Sequence, residues 1–247
     1  MSTPPARSIE RHYMRIEGSV ALVTGANRGL GQHFAEQLLA RGAAKVYAAA
    51  RRPETVSAQG VVPLGLDVTD TDSIATAAET ASDITLLINN AGIYTTGGVL
   101  ETPLETIRRE METNFFGTLL VTRAFAPHLI ANAPGAILNV ASVLSWLHPV
   151  GFGTYSCSKA ALWAQTDVVR EELKVHGVAV TALHVGFMET DMTTGIDAPK
   201  SDPAAVAAEA LDGVEAGRVE VLADDLTRNA KTQLSADRGI VTSNAGA

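Results

Sequence analysis

The chain has 247 residues, 46% of them hydrophobic, and its 27 acidic and 19 basic side chains give a formal net charge of −8. A chain of this size buries roughly 70–75% of its unfolded surface, so a sizeable core is expected. The acidic balance argues against a nucleic-acid partner, which requires a concentrated basic surface. No segment reaches the roughly 18 consecutive apolar residues of a membrane span, so no membrane association is predicted.

The compartment and the ends of the domain follow from local composition. The single cysteine, Cys157, excludes an internal disulfide and indicates no oxidising compartment. Residues 1–19 lack the apolar stretch of a secretory signal, so a cytoplasmic location is expected. Because the first 13 residues are polar and contain proline, residues 1–16 are predicted to be a disordered extension and residues 17–247 a single domain. The histidines show no metal-ligand spacing, so no metal site is predicted.

Seven short apolar runs alternate with segments of helical length. The predicted strands are 19–24, 45–50, 61–66, 84–89, 136–140, 178–185 and 219–222, and the long predicted helices are 32–41, 104–131, 154–175 and 202–216. The runs are continuously apolar, which is typical of strands buried on both faces. Strands that alternate with helices predict a doubly wound parallel sheet with helices on both faces, in the α/β class. The connection 50–61 is too short for a crossover helix and predicts a loop or a single turn.

A glycine-rich loop, residues 24–31 with the sequence TGANRGLG, joins the first strand to the first helix. Glycines permit a tight turn and a close approach of backbone to a pyrophosphate, and the helix N-terminus offers free N–H groups. The predicted dinucleotide contacts in this glycine loop are Gly25, Asn27, Arg28, Gly29, Leu30 and Gly31. Taken alone, the segment also fits a strand-to-helix turn that binds nothing.

Polar residues follow the third and fourth predicted strands. Asp67 comes after the third strand, and Asn89 and Asn90 close the fourth. The carboxyl ends of parallel strands lie at one edge of a sheet, so these side chains are expected to line a common crevice. Asp67 fits a helix cap equally well, whereas the paired amides can both cap backbone and contact a ribose.

A serine, a tyrosine and a lysine lie around the fifth strand. Ser142 follows that strand, and Tyr155 and Lys159 begin a long helix with the i, i+4 spacing that puts both side chains on one face. An adjacent ammonium lowers a tyrosine pKa from about 10. Tyr155 is therefore predicted to be a general acid/base, with Ser142 donating a hydrogen bond to a substrate oxygen. In isolation, such a pair is more often a surface feature.

These motifs, in this order, resemble the short-chain dehydrogenase/reductase superfamily in its single-domain branch. The resemblance covers residues 17–222 and rests on TGANRGLG, Asp67-Val68, NNAG at 89–92, Asn114, Ser142 and YSCSK at 155–159. It implies a Rossmann-like fold and an NAD(P)-dependent oxidoreductase that transfers a hydride between the cofactor and a carbonyl or secondary alcohol. It also implies a homodimer or homotetramer formed through the helices 104–131 and 154–175.

The resemblance assigns roles to individual residues. Tyr155 would be the catalytic acid/base, Lys159 would lower its pKa and hold the nicotinamide ribose, Ser142 would orient the carbonyl, and Asn114 would anchor a relay water. Asp67 would meet the adenine, and the further implied cofactor contacts are Val68, Asn90, Ala91, Gly92, Gly186, Met188 and Thr190. This chain has Val185-Gly186 where the family usually has Pro-Gly, so a looser turn and weaker cofactor binding are expected.

The end of the second strand predicts which dinucleotide binds. An acidic residue there would bond the ribose 2′-OH of NAD, whereas an arginine accommodates the phosphate of NADP. This strand ends in Ala50 followed by Arg51, and Arg28 adds a second cation able to bind phosphate. NADP(H) is therefore predicted over NAD(H), although Arg51 and Arg52 also fit a solvated loop pair.

The substrate region is predicted to be apolar and partly aromatic. The residues expected around the substrate are Ser142, Leu144, Trp146, His148, Tyr155 and Phe187, and the segment 191–201 is a candidate lid. His148 fits either a polar contact or a structural role. The alternative function is a dinucleotide-binding regulatory protein without turnover, which is expected to lack part of the Asn114, Ser142, Tyr155 and Lys159 set. An enzyme acting on a carbon–carbon double bond would need a different tyrosine–lysine spacing.

Overall fold

The structure is a computed structural model that describes residues 14–234. Seven parallel strands form one sheet in the order β3-β2-β1-β4-β5-β6-β7. The strands are β1 Val20–Thr24, β2 Lys45–Ala50, β3 Val62–Gly65, β4 Leu86–Asn89, β5 Gly135–Val140, β6 Val178–His184 and β7 Glu220–Leu222. The helices are α1 Gly29–Ala40, α2 Thr71–Thr80, α3 Leu104–Met111, α4 Thr118–Ala131, α5 Gly153–Lys174, α6 Pro203–Glu215 and α7 Asp225–Thr232.

The predicted doubly wound α/β architecture is confirmed. Phe34 of α1 and Leu211 of α6 are buried against one face of the sheet, and Phe125 of α4 and Leu173 of α5 against the other. Every predicted run overlaps a strand, and the short connection after β2 is a single 3-10 turn, Pro53–Thr55. Strand order reverses between β1 and β4, the point at which doubly wound folds open a ligand crevice.

The edge strand β3 departs from the predicted burial on both faces. Only Leu64 of its four residues is buried, because β3 has a neighbour on one side alone. Pro63 lacks a backbone donor, which an edge strand tolerates and a central strand does not.

The predicted helix 104–131 is divided in the structure. A π-helical segment, Glu112–Gly117, separates α3 from α4, and Asn114 lies inside it. Such segments widen a helix locally and occur frequently at functional sites. Two short helices, α2 and α7, are not among the long predicted helices; they begin after the aspartate caps Asp70 and Asp224.

The described chain begins before the predicted start of the domain at residue 17. Met14 and Ile16 are 3% and 0% exposed and belong to the core cluster that contains α1. The backbone N–H of Ile16 also donates to Glu215 Oε1 at 3.1 Å. The assignment of residues 14–16 to a disordered extension is therefore wrong. Residues 1–13 and 235–247 lie outside the described residues.

Two kinds of feature are absent from the described part of the chain. No helix within residues 14–234 combines the length and the apolar character needed to cross a membrane. Over the same residues, no group of three or more histidine, cysteine or acidic side chains is arranged to hold a metal ion.

The contact between α6 and β7 yields a stability test. A Cβ atom on Gly213 would overlap Cγ2 of Val221, so in Gly213→Ala either the Val221 side chain or the helix has to shift. We expect a loss of about 1–3 kcal/mol in the free energy of unfolding, measured by urea denaturation. Gly98→Ala is the control, because a Cβ there meets nothing within 4 Å and φ is not positive. Equal stability of the two variants would contradict the close packing.

Candidate functional site

A large crevice opens at the carboxyl ends of the central strands, with a volume of about 2260 Å³. It collects nearly all of the predicted site residues from separate elements. Those that line it are Gly25, Asn27, Arg28, Gly29, Leu30, Gly31, Arg51, Asp67, Val68, Asn90, Ala91, Gly92, Ser142, Leu144, His148, Tyr155, Lys159, Gly186, Phe187, Met188 and Thr190. Asn114 and Trp146 are not among the lining residues.

The glycine loop has the geometry of an anion cradle. Gly25 adopts φ +65°, which favours glycine, and a Cβ on Gly31 would overlap the carbonyl oxygen of Gly25. Arg28 precedes α1 without a side-chain cap, so the first N–H groups of the helix face the crevice without a capping side chain. Such N–H groups and the helix dipole favour a phosphate.

Asn90 stabilises this loop from the neighbouring strand. Its Nδ2 donates to the carbonyl oxygens of Thr24, at 2.8 Å, and Gly25, at 3.2 Å. The amide side chain is therefore used for holding the glycine loop, and only the remaining surface of Asn90 lines the crevice. This is the backbone-capping role that the sequence left open beside ribose contact.

Asp67 does not cap a helix. Its Oδ1 accepts from the backbone N–H and the hydroxyl of Thr69, at 2.9 and 2.7 Å, while Asp70 caps α2. The helix-cap alternative is therefore wrong, and Asp67 stands at the crevice wall.

A small cationic cavity of about 180 Å³ adjoins the glycine loop. It is lined by Asn27, Arg28, Arg51, Arg52 and Thr55. Three arginines thus line one small cavity, and within residues 14–234 only Arg28 among them is in an ion pair, a loose 3.4 Å contact with Asp191. Such a cavity is suited to a multiply charged anion.

Asn114 is fully buried behind the crevice wall. Its Oδ1 accepts from the N–H of Ile93 at 2.9 Å, and its Nδ2 donates to Ile93 O and Ser158 Oγ, both at 2.9 Å. Asn114 thus joins the segment after β4 to α5. A lone asparagine in a helix is usually exposed, and the π-helical segment that turns this one inward has no clear signal in the sequence.

Ser142, Tyr155 and Lys159 converge as predicted at the base of the crevice. Ser142 Oγ accepts from the N–H of Leu144 at 3.1 Å and is hydrogen-bonded to the phenol of Tyr155. Lys159 is 4% exposed, and its Nζ donates to Val140 O at 2.8 Å and lies 5.6 Å from the centre of the Tyr155 ring.

The electrostatics of this group differ from the prediction. Burial raises the pKa of Tyr155, the charge of Glu110 raises it further, and the hydrogen bond with Ser142 offsets part of the effect. Burial also lowers the pKa of Lys159 to about 8. The predicted lowering of the Tyr155 pKa by Lys159 is therefore not found, because the ammonium is bound to a carbonyl and is itself disfavoured by burial. Tyr155 is a neutral phenol here.

Three aromatic rings form a wall beside Tyr155, which we call the aromatic wall: Tyr94, Phe152 and Phe187. The Tyr94 ring meets the Tyr155 ring edge-on at 5.3 Å and stacks on Phe152 at 5.7 Å. Phe187 lies 5.8 Å from Phe152. Only Phe187 was predicted. Tyr94 lies two residues after the NNAG motif, and this position near the end of a central strand could have marked it as a site residue.

Trp146 was predicted to contact the substrate, and this is wrong. It is 5% exposed, stacks on the buried ring of His184 at a centroid distance of 3.9 Å, and faces away from the crevice. Residues in a short 3-10 turn point in different directions, so adjacency to Ser142 did not place Trp146 at the site. Leu144 and His148 do line the crevice.

The turn after β6 is restrained despite its missing proline. Asp224, the cap of α7, accepts from the N–H of Gly186 at 2.6 Å through Oδ2. The candidate lid that follows is anchored at its end, where Ser201 N–H donates to Phe187 O at 2.8 Å. The expectation of a loose turn overlooked Asp224, since α7 was not predicted.

Comparisons with known proteins show which family and which solved structures this chain is similar to. The family model for short chain dehydrogenases matches residues 19–201. A short chain dehydrogenase from Burkholderia cenocepacia J2315, crystallised in complex with NADP, is 42% identical, with a TM-score of 0.90 over 95% of this chain and 100% of that one.

Two curated relatives are more distant in sequence. The 3-oxoacyl-[acyl-carrier-protein] reductase FabG of Vibrio harveyi is 31% identical over 83% of this chain and 86% of that protein. A dehydrogenase/reductase SDR family protein 7-like from Anopheles gambiae is 30% identical over 74% of this chain, and the match spans 63% of the length of that relative.

We expect the free energy of unfolding to depend on pH because of the histidine behind Ser142. His184 is fully buried, its Nδ1 is bonded to Ser142 O at 3.0 Å, and burial lowers its pKa from 6.5 to about 4. The unfolded chain therefore takes up this proton first, and stability falls as the pH drops from 6.5 towards 4. We expect His184→Asn, which keeps a donor but cannot titrate, to lose less stability over this interval in urea denaturation. The exposed His176→Asn is the control, and an identical pH dependence in both variants would contradict the assignment.

Proposed function

The chain belongs to the short-chain dehydrogenase family of oxidoreductases, and we propose that it uses NADP(H) to interconvert a carbonyl compound and a secondary alcohol. The observation that carries the proposal is the convergence of Ser142, Tyr155 and Lys159 in the crevice that also contains the glycine loop. One crevice thus offers a site for a dinucleotide and an acid for a carbonyl oxygen.

The residues present fit NADP(H). The cradle at Gly25 and Gly31 leaves no room for a side chain, and the uncapped start of α1 would hold the pyrophosphate. The small cationic cavity with Arg28 and Arg51 suits the 2′-phosphate, and the Burkholderia relative was crystallised with NADP. The remaining proposed cofactor contacts are those predicted from the family, from Asp67 to Thr190. When bound, the cofactor supplies the hydride.

The proton would come from Tyr155. Its phenol donates to the carbonyl oxygen during reduction, while the hydroxyl of Ser142 donates a second hydrogen bond that orients this oxygen. Burial keeps Tyr155 protonated at neutral pH, the state that an acid needs. Lys159, with a pKa of about 8, is suited to holding a ribose hydroxyl and to returning the proton. Asn114 would fix the segment at Ile93 and the relay water that the family resemblance assigns to it.

The substrate side favours a neutral apolar carbonyl compound. The aromatic wall lies directly beside Tyr155, and Leu144 extends the apolar surface. Apolar pockets of this kind select substrates through burial of area, with few polar contacts. His148 lines the same crevice and would provide one of these polar contacts.

Assembly and location remain predictions. Phe116 and Val168, on the two stretches expected to pair, are 43% and 58% exposed, which supports a homodimer or homotetramer. A cytoplasmic location still rests on the sequence. The regulatory alternative without turnover is disfavoured because Ser142, Tyr155 and Lys159 are together in place.

The role of Tyr155 is tested by Tyr155→Phe, which removes the acidic hydroxyl and keeps the ring. We expect NADPH-dependent ketone reduction, followed at 340 nm, to fall by about 100- to 10,000-fold, because general acid catalysis is lost. NADPH affinity should stay within about threefold, since few binding interactions change. Tyr47→Phe, in β2 and hydrogen-bonded to Asp83, is the matched control. Wild-type protein that binds NADPH but turns over no carbonyl in a broad panel would favour the regulatory alternative.

The cofactor preference is tested at Arg51. Arg51→Asp replaces a phosphate-binding group with one that suits a free ribose 2′-OH, so KM should rise for NADPH and fall for NADH. We expect the ratio of kcat/KM values to shift towards NADH by at least about tenfold, for loss of one charge-assisted contact. Arg123→Ala, an exposed arginine on α4, should leave the ratio unchanged. A wild-type preference for NADH would refute this account of Arg51.

A further inference from the structure

A buried carboxylate next to the site has no place in the mechanism described so far. Glu110, near the end of α3, is 0% exposed and forms no ion pair with any residue from 14 to 234. Its Oε1 accepts from the backbone N–H of Thr95 at 2.7 Å, and its Oε2 has no hydrogen-bond partner among those described residues. Burial of a carboxyl group with one unpartnered oxygen is costly, so its presence beside the site points to a specific role.

The hydrogen bond of Glu110 holds the segment that carries the aromatic wall. Thr95 follows Tyr94, whose ring contacts the Tyr155 ring edge-on at 5.3 Å and stacks on Phe152 at 5.7 Å. The same segment is fixed at Ile93 by Asn114. Tyr94 therefore lies between two anchored backbone positions, and Glu110 supplies the second anchor.

We propose that Glu110 is a positioning residue for the reaction: its carboxyl group fixes the Tyr94–Thr95 segment against Tyr155. This inference rests on the proposed function, because Tyr155 matters only if it exchanges a proton with a substrate. Glu110 does not line the crevice and acts through its neighbours.

The charge of Glu110 favours the protonated phenol. The groups that act on Tyr155 are Glu110 from α3, Tyr94 from the segment after β4, Ser142 from the turn after β5 and Lys159 from α5. Among them, Glu110 and Tyr94 raise the pKa of Tyr155, and Ser142 lowers it. Burial raises the pKa of Tyr94, and Glu110 raises it further. Alcohol oxidation requires the phenolate, so neutralising Glu110 should move the pH profile of oxidation to lower pH, while reduction near neutral pH persists.

Two variants separate the two effects. Glu110→Gln keeps an oxygen that can accept from Thr95 N–H but removes the charge, whereas Glu110→Ala removes both. For Glu110→Ala we expect KM for the carbonyl substrate to rise about tenfold, as for loss of one hydrogen bond to a charged group. NADPH affinity, from the quenching of protein fluorescence, should stay within about twofold, since the cofactor side is not touched. For Glu110→Gln we expect a near-normal KM and the shifted oxidation profile.

A readout without turnover keeps this inference separate from the proposed function. Hydrogen exchange of the peptide containing the Thr95 amide should accelerate in Glu110→Ala and stay slow in Glu110→Gln. Glu101→Gln, an exposed carboxylate on the preceding turn, is the charge-matched control and should resemble the wild type in every assay. Unchanged Thr95 exchange together with an unchanged carbonyl KM in folded Glu110→Ala would overturn the positioning role.

The remaining outcomes distinguish a failure of this inference from a failure of the proposed function. An oxidation profile in Glu110→Gln that coincides with that of the wild type would show that the charge of Glu110 does not act on Tyr155. If wild-type protein reduces no carbonyl, the proposed function fails, and Thr95 exchange alone then decides whether Glu110 holds the segment. If Glu110→Ala does not fold, Glu110→Asp, whose side chain is one methylene shorter and withdraws the acceptor from Thr95 N–H, carries the test through the same hydrogen-exchange measurement.

Discussion

The crevice depends on one clamp between β1 and β4, where strand order reverses. Thr24 Oγ1 accepts from the N–H groups of Asn90 and Ala91, at 2.9 and 3.0 Å, and Asn90 Nδ2 also donates to Thr24 O at 2.8 Å. The segments that leave β1 and β4 diverge to open the crevice, and these hydrogen bonds keep the two strands in register up to their final residues. These hydrogen bonds fix the starting point of the glycine loop and that of the segment leading to Tyr94 relative to each other.

The acid–base character of the site comes from burial more than from pairing. Tyr155 and Lys159 are one helical turn apart, yet each is shifted towards its neutral form, because removal from water disfavours both the phenolate and the ammonium. The pair therefore does not act as an ion pair in this state. Its proton-transfer chemistry depends on whatever enters the crevice and changes the local charge.

The sequence predicted the sheet, its helices and most of the crevice, for a physical reason. Strands buried on both faces are uniformly apolar, and ligands of parallel sheets meet strand ends, so Asp67, Asn90 and Ser142 could be placed by position alone. The residues that the sequence missed act across tertiary contacts: Glu110 on Thr95, Asp224 on Gly186 and Tyr94 on Tyr155. Trp146 was misplaced for the converse reason, since proximity in sequence does not give direction.

The carboxylate of Asp224 serves two elements at once, with Oδ1 on the N–H of Thr227 in α7 and Oδ2 on that of Gly186. The stability of α7, the last described helix, is therefore coupled to that of the turn after β6. By linkage, a ligand that tightens the turn also suppresses fraying of α7, and fraying of α7 in turn weakens that ligand. The order of α7, which lies beyond the residues matched by the family model, is thereby expected to change when a ligand binds in the crevice.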